Sequence, residues 1–273
     1  MNNFTLRAIT GFFFIAFISG MTLYSPYTFL ILLLLIGGLG MLEYYKIVMR
    51  KEAFFLQLIY TLLGLAIISA YFWINDRVDF AVFAVVITVT SSFIYSLFKS
   101  KHSWKNIPLL LSGLFYIAFP LFLFMISVMK SDGQYESPQM EFKPYLALNL
   151  FVLIWCSDTF AYLCGKAFGK HKLFEKISPK KTVEGFIGAL VLTIGFSILL
   201  SHWFGISVKL NLLIAFLSVV FGTLGDLVES QLKREHQIKD SGTIIPGHGG
   251  ILDRFDALFI SLPFTTACYY FLI

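Results

Sequence analysis

Four acids stand in two pairs in the last third of the chain. Asp226 and Glu229 are three residues apart, and so are Asp253 and Asp256. On a helix, positions i and i+3 share a face, so each pair can point at one spot, and the segment between can bring the pairs together. Both pairs border long apolar runs. An acid at the centre of a hydrocarbon-spanning helix costs about 2.5–3.5 kcal/mol, and less near the interface. Mutual repulsion adds to that, so a positive partner is required. Lys233, Arg234, Lys239 and Arg254 are candidates. A divalent cation is the other, and oxygen ligands without a Cys or His cluster favour Mg²⁺ over Zn²⁺. Ordinary pairing with surface Lys and Arg is the alternative, and it suits Glu229 and Asp256 better than Asp226 and Asp253.

Three further polar clusters suit anions. Pro246-Gly247-His248-Gly249-Gly250 precedes an apolar run. Glycines let backbone N–H groups approach an anion, and a helix N-terminus favours negative charge. His248 is a phosphate donor or a turn residue there, with Gly249 and Gly250 beside it. The second cluster is Ser178-Pro179-Lys180-Lys181-Thr182-Val183-Glu184-Gly185. It reads as a helix start with Ser178 as N-cap and Pro179 at the first position. Lysines there oppose the helix dipole, a misfit that a bound phosphate relieves. Charge bias toward one membrane face is the alternative. Third, Ser157-Asp158 interrupts an apolar run, with a loop lysine or a cation as the expected partner of Asp158. A hydrogen bond to a neighbouring helix is the alternative. His102, His171, His202 and His236 show no metal spacing. Cys156, Cys164 and Cys268 read as packing residues.

The elements that position these residues are apolar. Of 273 residues, 58% are hydrophobic and 14% charged, against roughly a quarter charged in soluble domains. The mean hydropathy is +0.79. A membrane-spanning helix takes roughly 20 apolar residues, and about nine such spans can be drawn: 6–23, 27–44, 54–73, 80–98, 107–129, 144–165, 185–203, 210–228 and 251–271. The first resembles a signal peptide, but it has no small-x-small cleavage site and a second apolar run follows at once. The expected fold is an all-α polytopic membrane protein. It divides into N-terminal helices (1–143) and C-terminal helices carrying the site (144–273), within one membrane unit. The N-terminus and even-numbered loops hold 16 Lys and Arg against 4 in the odd loops. The positive-inside rule then puts the N-terminus in the cytoplasm and the C-terminus outside, with the polar loops 166–184 and 229–250 on the cytoplasmic face. The net charge of +5 lies in short loops, which argues for a membrane face and against nucleic acid.

The run Ser230-x-Leu232-Lys233-Arg234-x4-Lys239-Asp240-x-Gly242-x2-Ile245-Pro246-x-His248-Gly249-Gly250-Ile251-x-Asp253-Arg254-Phe255-Asp256 resembles the signature of the phosphatidate cytidylyltransferases, or CDP-diacylglycerol synthases, over 27 residues. Ser157-Asp158-Thr159-x-Ala161-Tyr162-x2-Gly165 and the Ser178–Gly185 stretch are similar to the same family. The resemblance covers roughly 157–256. Ala189 departs from it where a second glycine is expected after Gly188. It implies a homodimer in the cell's inner membrane, with a cavity open to cytoplasm and lipid. Its substrates would be CTP and phosphatidate, with Mg²⁺ and a second cation such as K⁺.

On this reading the phosphomonoester of phosphatidate attacks the α-phosphorus of CTP and pyrophosphate leaves. Asp226 and Asp253 are assigned to the metal, with Glu229, Asp256 and Asp158 as further metal candidates. Lys233 and Arg234 act in catalysis. Ser178, Lys180, Lys181, Thr182, Lys239, Asp240, His248, Gly249, Gly250 and Arg254 bind substrate. Two rivals are a CTP-dependent polyprenol kinase and a cation transporter. The second leaves the glycine, lysine and arginine clusters unexplained. CTP labelled at the α- or γ-phosphate separates the first. Cytidylyl transfer predicts α label in the lipid and γ label in pyrophosphate, whereas a kinase puts the γ label in the lipid.

Overall fold

The chain's helices begin and end where its polar and conformationally special residues allow. The computed structural model describes residues 3–49, 54–73, 106–131, 140–245 and 249–272. Helix α1 spans Asn3–Tyr24, and Ser25 starts α2 (Pro26–Val48) with a capping box. The Ser25 hydroxyl accepts the Thr28 N–H at 3.1 Å, and Thr28 Oγ1 accepts the Ser25 N–H at 3.0 Å. This satisfies two donors that a helix start otherwise leaves open. Helix α3 follows at Phe54–Trp73. Helix α4 runs through Asn106–Gly113, a π-helical turn at Leu114–Ala118, and Phe119–Val128. The π turn ends two residues before Pro120, which has no N–H to donate to the helical ladder.

A short antiparallel pair, β1 (Met129–Ser131) and β2 (Met140–Phe142), leads to α5 (Pro144–Phe168). A hairpin of β3 (Lys172–Phe174) and β4 (Ser178–Thr182) leads to α6 (Val183–Phe204). Gly205 ends α6 in the left-handed region at φ 65, which glycine adopts without steric cost. Then come α7 (Val208–Glu235) and α8 (Leu252–Leu272).

These helices match eight of the nine expected spans; the expected span 80–98 lies outside the described residues. Among the described residues, six stretches are long and apolar enough to cross a membrane: Pro26–Val48, Phe54–Phe72, Pro108–Val128, Pro144–Phe168, Val183–Phe204 and Val208–Glu235. Helix α1 adds a shorter apolar stretch, Ile9–Tyr24, and α8 is 21 residues long with Asp253 in its first turn. The architecture is that of an all-helical, multi-pass membrane protein. Its outward faces carry exposed Phe12, Phe13, Ile187, Val191, Leu199 and Trp203, as a surface solvated by lipid would.

Helix α5 packs along α6, α7 along both α6 and α8, and α2 along α1 and α3. Near Gly225 the α7–α8 contact is so close that a Cβ there would run into the Asp256 carbonyl oxygen. Small residues permit such backbone approach between membrane helices. A buried polar knot joins the four C-terminal helices. Asn149 Nδ2 donates to Asn211 Oδ1 at 2.7 Å and to the Tyr269 hydroxyl at 3.1 Å. Asn211 Nδ2 donates to the Ser197 carbonyl at 2.8 Å, and the Tyr269 hydroxyl to the Leu146 carbonyl at 3.1 Å. With no solvent to replace these bonds, Asn211→Leu should destabilise the protein by about 1–3 kcal/mol. Reversible unfolding in detergent measures this.

Candidate active site

The last turns of α7 and the first turn of α8 meet around one lysine. Lys233 Nζ lies 2.6 Å from Asp253 Oδ1 and also pairs with Glu229, one turn back on its own helix. The Glu229 side chain is 1% exposed and that of Asp253 7%. One ammonium therefore serves two buried carboxylates. Backbone and hydroxyl donors supply what it cannot. Asp253 Oδ2 accepts the Ser241 N–H at 2.9 Å, the Ser241 hydroxyl at 2.9 Å and the Gly250 N–H at 3.0 Å. Asp253 thus caps its own helix from within and closes the loop that returns from α7.

The sequence offered the glycine turn before α8 as an anion cradle. In the structure, donors at the start of α8 are already engaged by the protein's own carboxylates: Gly250 N–H by Asp253, and Leu252 N–H by Glu43 Oε2 at 2.9 Å. Gly249 bridges back to Ile245 with φ 86. Pro246, Gly247 and His248 lie outside the described residues, so the role expected of His248 does too.

The lysine-rich stretch also differs from expectation. Ser178 does not cap a helix and Pro179 does not begin one; both lie in β4, paired with β3. The N-cap is Thr182, whose hydroxyl accepts the Gly185 N–H at 3.2 Å, with Glu184 in the favourable acidic first turn. Lys180 and Lys181 therefore precede the helix, and the dipole misfit that suggested a phosphate disappears. A Ser-Pro pair suits a strand as well as a helix start, and the Thr182/Glu184 start was the better cap. Glu184 also secures the hairpin, accepting the Lys170 N–H at 3.0 Å and contacting His171 Nδ1 at 2.6 Å. Arg234 Nε donates to the Ile177 carbonyl at 3.5 Å, fastening the hairpin to the end of α7.

From β4, Lys181 Nζ reaches Asp226 Oδ2 at 2.7 Å, and Ser230 donates its hydroxyl to Asp226 Oδ1 at 3.1 Å. Beside this pair is a cavity of about 390 Å³, lined by Ser157, Asp158, Lys180, Thr182, Tyr162 and Phe186 among others. Asp256 is within electrostatic reach of Asp226, Glu229 and Asp158. Asp158 is likewise within reach of Lys181 and Arg254. Among the described residues, neither Asp158 nor Asp256 has a cation at ion-pair distance. A separate cavity of about 730 Å³ is lined by Glu43, Lys46, His236, Lys239, Asp240 and Ser241 together with apolar residues of α2. The fold thus gathers Asp158, Lys180, Lys181, Thr182 and Asp226 at one cavity and puts Lys239 and Asp240 at the other.

The acid-rich side fits a magnesium ion by charge. Asp158, Asp226 and Asp256 lie near one another with Lys181 as their one ion-pair partner among the described residues. Among those residues no three His, Cys, Asp or Glu form a closed ion cage. Mg²⁺ commonly takes one or two carboxylates and completes its shell with water and phosphate. For Asp253 to join an ion, it must exchange one of the four donors it now accepts.

Sequence reasoning missed Glu43. It lies in α2, is 5% exposed, and meets Ser241 and Leu252 from the other half of the chain. The signal was present: an acid inside an apolar span, the same signal that singled out Asp158.

A bundle of apolar helices with carboxylates, lysines and polar cavities gathered at its helix ends defines a membrane-embedded site for charged groups. The model of the cytidylyltransferase family matches residues 5–272, and the chain belongs to that family. It is 40% identical over 167 residues to a phosphatidate cytidylyltransferase of Staphylococcus haemolyticus, covering 60% of each chain. The corresponding protein of Staphylococcus saprophyticus is 37% identical over 193 residues, 70% of this chain and 69% of that one. That of Bacillus subtilis is 38% identical over 195 residues, 69% of this chain and 66% of the relative. The chain thus spans about three fifths to two thirds of the length of these relatives.

Lys233→Met would leave Glu229 and Asp253 buried without their cation. A stability loss of about 3–5 kcal/mol is expected, read as a lower midpoint of unfolding in detergent. Adding Glu229→Gln should recover part of it.

Proposed function

We propose that this chain is a phosphatidate cytidylyltransferase, joining CTP to phosphatidate to give CDP-diacylglycerol and pyrophosphate in phospholipid biosynthesis. The observation that carries the reading is the family match over residues 5–272. The relatives' names point to the same reaction, and the acid–lysine cavity suits its charged substrates.

A phosphomonoester oxygen of phosphatidate attacks the α-phosphorus of CTP in line. A new P–O bond forms, the α–β bridging P–O bond breaks, and the electron pair leaves with pyrophosphate. The second proton of a phosphomonoester comes off near pH 6, so the nucleophile is already largely anionic at neutral pH. The protein's work is to neutralise charge and to position the reactants. Lys180 and Lys181, at the mouth of the smaller cavity, meet phosphate oxygens, and Lys181 leaves Asp226 to do so. Asp226, with Asp158 or Asp256, holds Mg²⁺, and Asp158 is also the candidate for a second cation such as K⁺. When bound, Mg²⁺ supplies charge neutralisation on the triphosphate. Lys233 holds Asp253, and Asp253 orders the Ser241 and Gly250 backbone where α7 and α8 meet. Lys239 and Asp240 face the larger cavity, where a polar part of a substrate can lie against apolar α2. Arg234 keeps the β3–β4 hairpin against α7, and Arg254 adds positive charge near Asp158.

The loop-charge asymmetry supports an N-terminus in the cytoplasm, a C-terminus outside, about nine spans, and a site facing the cytoplasm of the inner membrane, where CTP is available. Phosphatidate then enters sideways from the bilayer, and the active form is a homodimer.

Asp226→Asn should insert and unfold like the parent but release pyrophosphate roughly 100-fold more slowly. Asp253→Asn should lose turnover and also stability, because the amide replaces an oxygen that accepts buried donors. Turnover near the parent's at saturating Mg²⁺ would remove Asp226 from the reaction.

A further inference from the structure

We infer that Glu43 is a positioning residue of the active site: from the N-terminal half of the chain it latches Ser241 to Leu252 at the start of α8 and, through Ser241, sets Asp253. Glu43 Oε2 accepts the Leu252 N–H at 2.9 Å and the Ser241 hydroxyl at 3.1 Å. That same hydroxyl lies 2.9 Å from Asp253 Oδ2 and accepts the Asp253 N–H at 3.3 Å. A line of contacts therefore runs from α2 through Ser241 and Asp253 to Lys233 and Glu229 on α7.

Three observations set this apart from ordinary packing. First, the carboxylate is buried at 5% exposure in an apolar helix, and among the described residues no Lys or Arg lies at ion-pair distance from it. Burying a carboxylate without a counter-ion is costly, so its two donors, both from the 241–252 segment, define what it is there to hold. Second, the segment is shaped around it. A Cβ at Gly242 would run into Glu43 Oε1, and one at Gly250 into Glu43 Oε2. Third, Ser241 has one hydroxyl proton and stands between two carboxylate oxygens, so a displacement of Glu43 is felt directly at Asp253. A helix cap alone would need only the Leu252 N–H. Linkage through Ser241 places the effect on the residue that Lys233 also holds.

The kinetic arm of the test rests on the reaction proposed above; the exchange arm does not. Glu43→Ala, Glu43→Gln, Glu43→Asp and Gly242→Ala are compared with the parent, purified in lipid nanodiscs. Hydrogen exchange is followed in peptides covering 239–255, and kcat and KM for CTP are measured. Glu43→Ala should speed exchange of the 241 and 252 amides roughly tenfold or more, while peptides of α3 stay unchanged. It should lower kcat by about 100-fold with KM little altered, as expected when the frame that positions the reactants shifts while the substrate is still held as before. Gly242→Ala presses on the same carboxylate from the other side and should behave alike. Glu43→Gln keeps the reach and an acceptor and should retain most of both; Glu43→Asp, one methylene shorter, should follow the alanine variant. Protected amides with parental kcat in Glu43→Ala would overturn the inference, as would a fall in kcat without faster exchange. A parent that releases no pyrophosphate from CTP and phosphatidate would sink the proposed reaction, and the exchange result alone would then judge the latch.

Discussion

Buried charge in an apolar bundle must be balanced where it sits, and here the balance turns on Lys233. Its ammonium lies between Glu229 and Asp253, so it ties α7 to α8 at the point where the chain leaves one helix and returns to start the other. Water cannot screen the pair and no second ion-paired cation replaces it among the described residues, so the geometry of the junction follows from this contact. Asp253, oriented by Lys233 through one oxygen, uses the other to gather Ser241 and Gly250. Where Gly242 and Gly250 pass Glu43, a Cβ at either position would meet its carboxylate. One electrostatic constraint thus propagates from a side chain to a helix start, a loop and a distant helix.

The acids divide into two groups with different duties. Glu229, Asp253 and Glu43 are engaged in structure, by a lysine or by backbone and hydroxyl donors. Asp226, Asp158 and Asp256 lie close together with little positive charge at contact distance. Carboxylates held near each other in this way carry a standing repulsion, which a cation or the lysines of β4 relieve. The first group ties helices and loop together, and in the second Asp226 is held by Lys181 and Ser230.

Much of this was legible before the structure. Long apolar runs leave little choice of fold, and eight expected spans coincide with helices, α7 running seven residues past its expected end. The four acids at 226, 229, 253 and 256 stood out in the sequence, but each pair is divided in the structure: Glu229 and Asp253 meet at Lys233, whereas Asp226 meets Lys181. What failed depended on context or distance. Ser178-Pro179 obeys the statistics of a helix start, yet pairing with Lys172–Phe174 drew it into a strand and left the cap to Thr182. The glycines before α8 read as a vacant anion cradle because the Glu43 carboxylate that meets them lies about 200 residues away in sequence. Within its own span Glu43 is a single acid, whereas the C-terminal acids advertise themselves by clustering.

The central claim is that substrate phosphates gather at the cavity between α5, β4 and α7, against Lys180, Lys181 and Asp226. The most direct measurement is an experimental structure of the protein in lipid with CTP and Mg²⁺ bound. The account predicts triphosphate density at those lysines and a metal touching Asp226, with the Lys233–Asp253 contact intact. Triphosphate bound on another face, with the Lys181–Asp226 pair undisturbed and the cavity filled only by lipid chains, would contradict it.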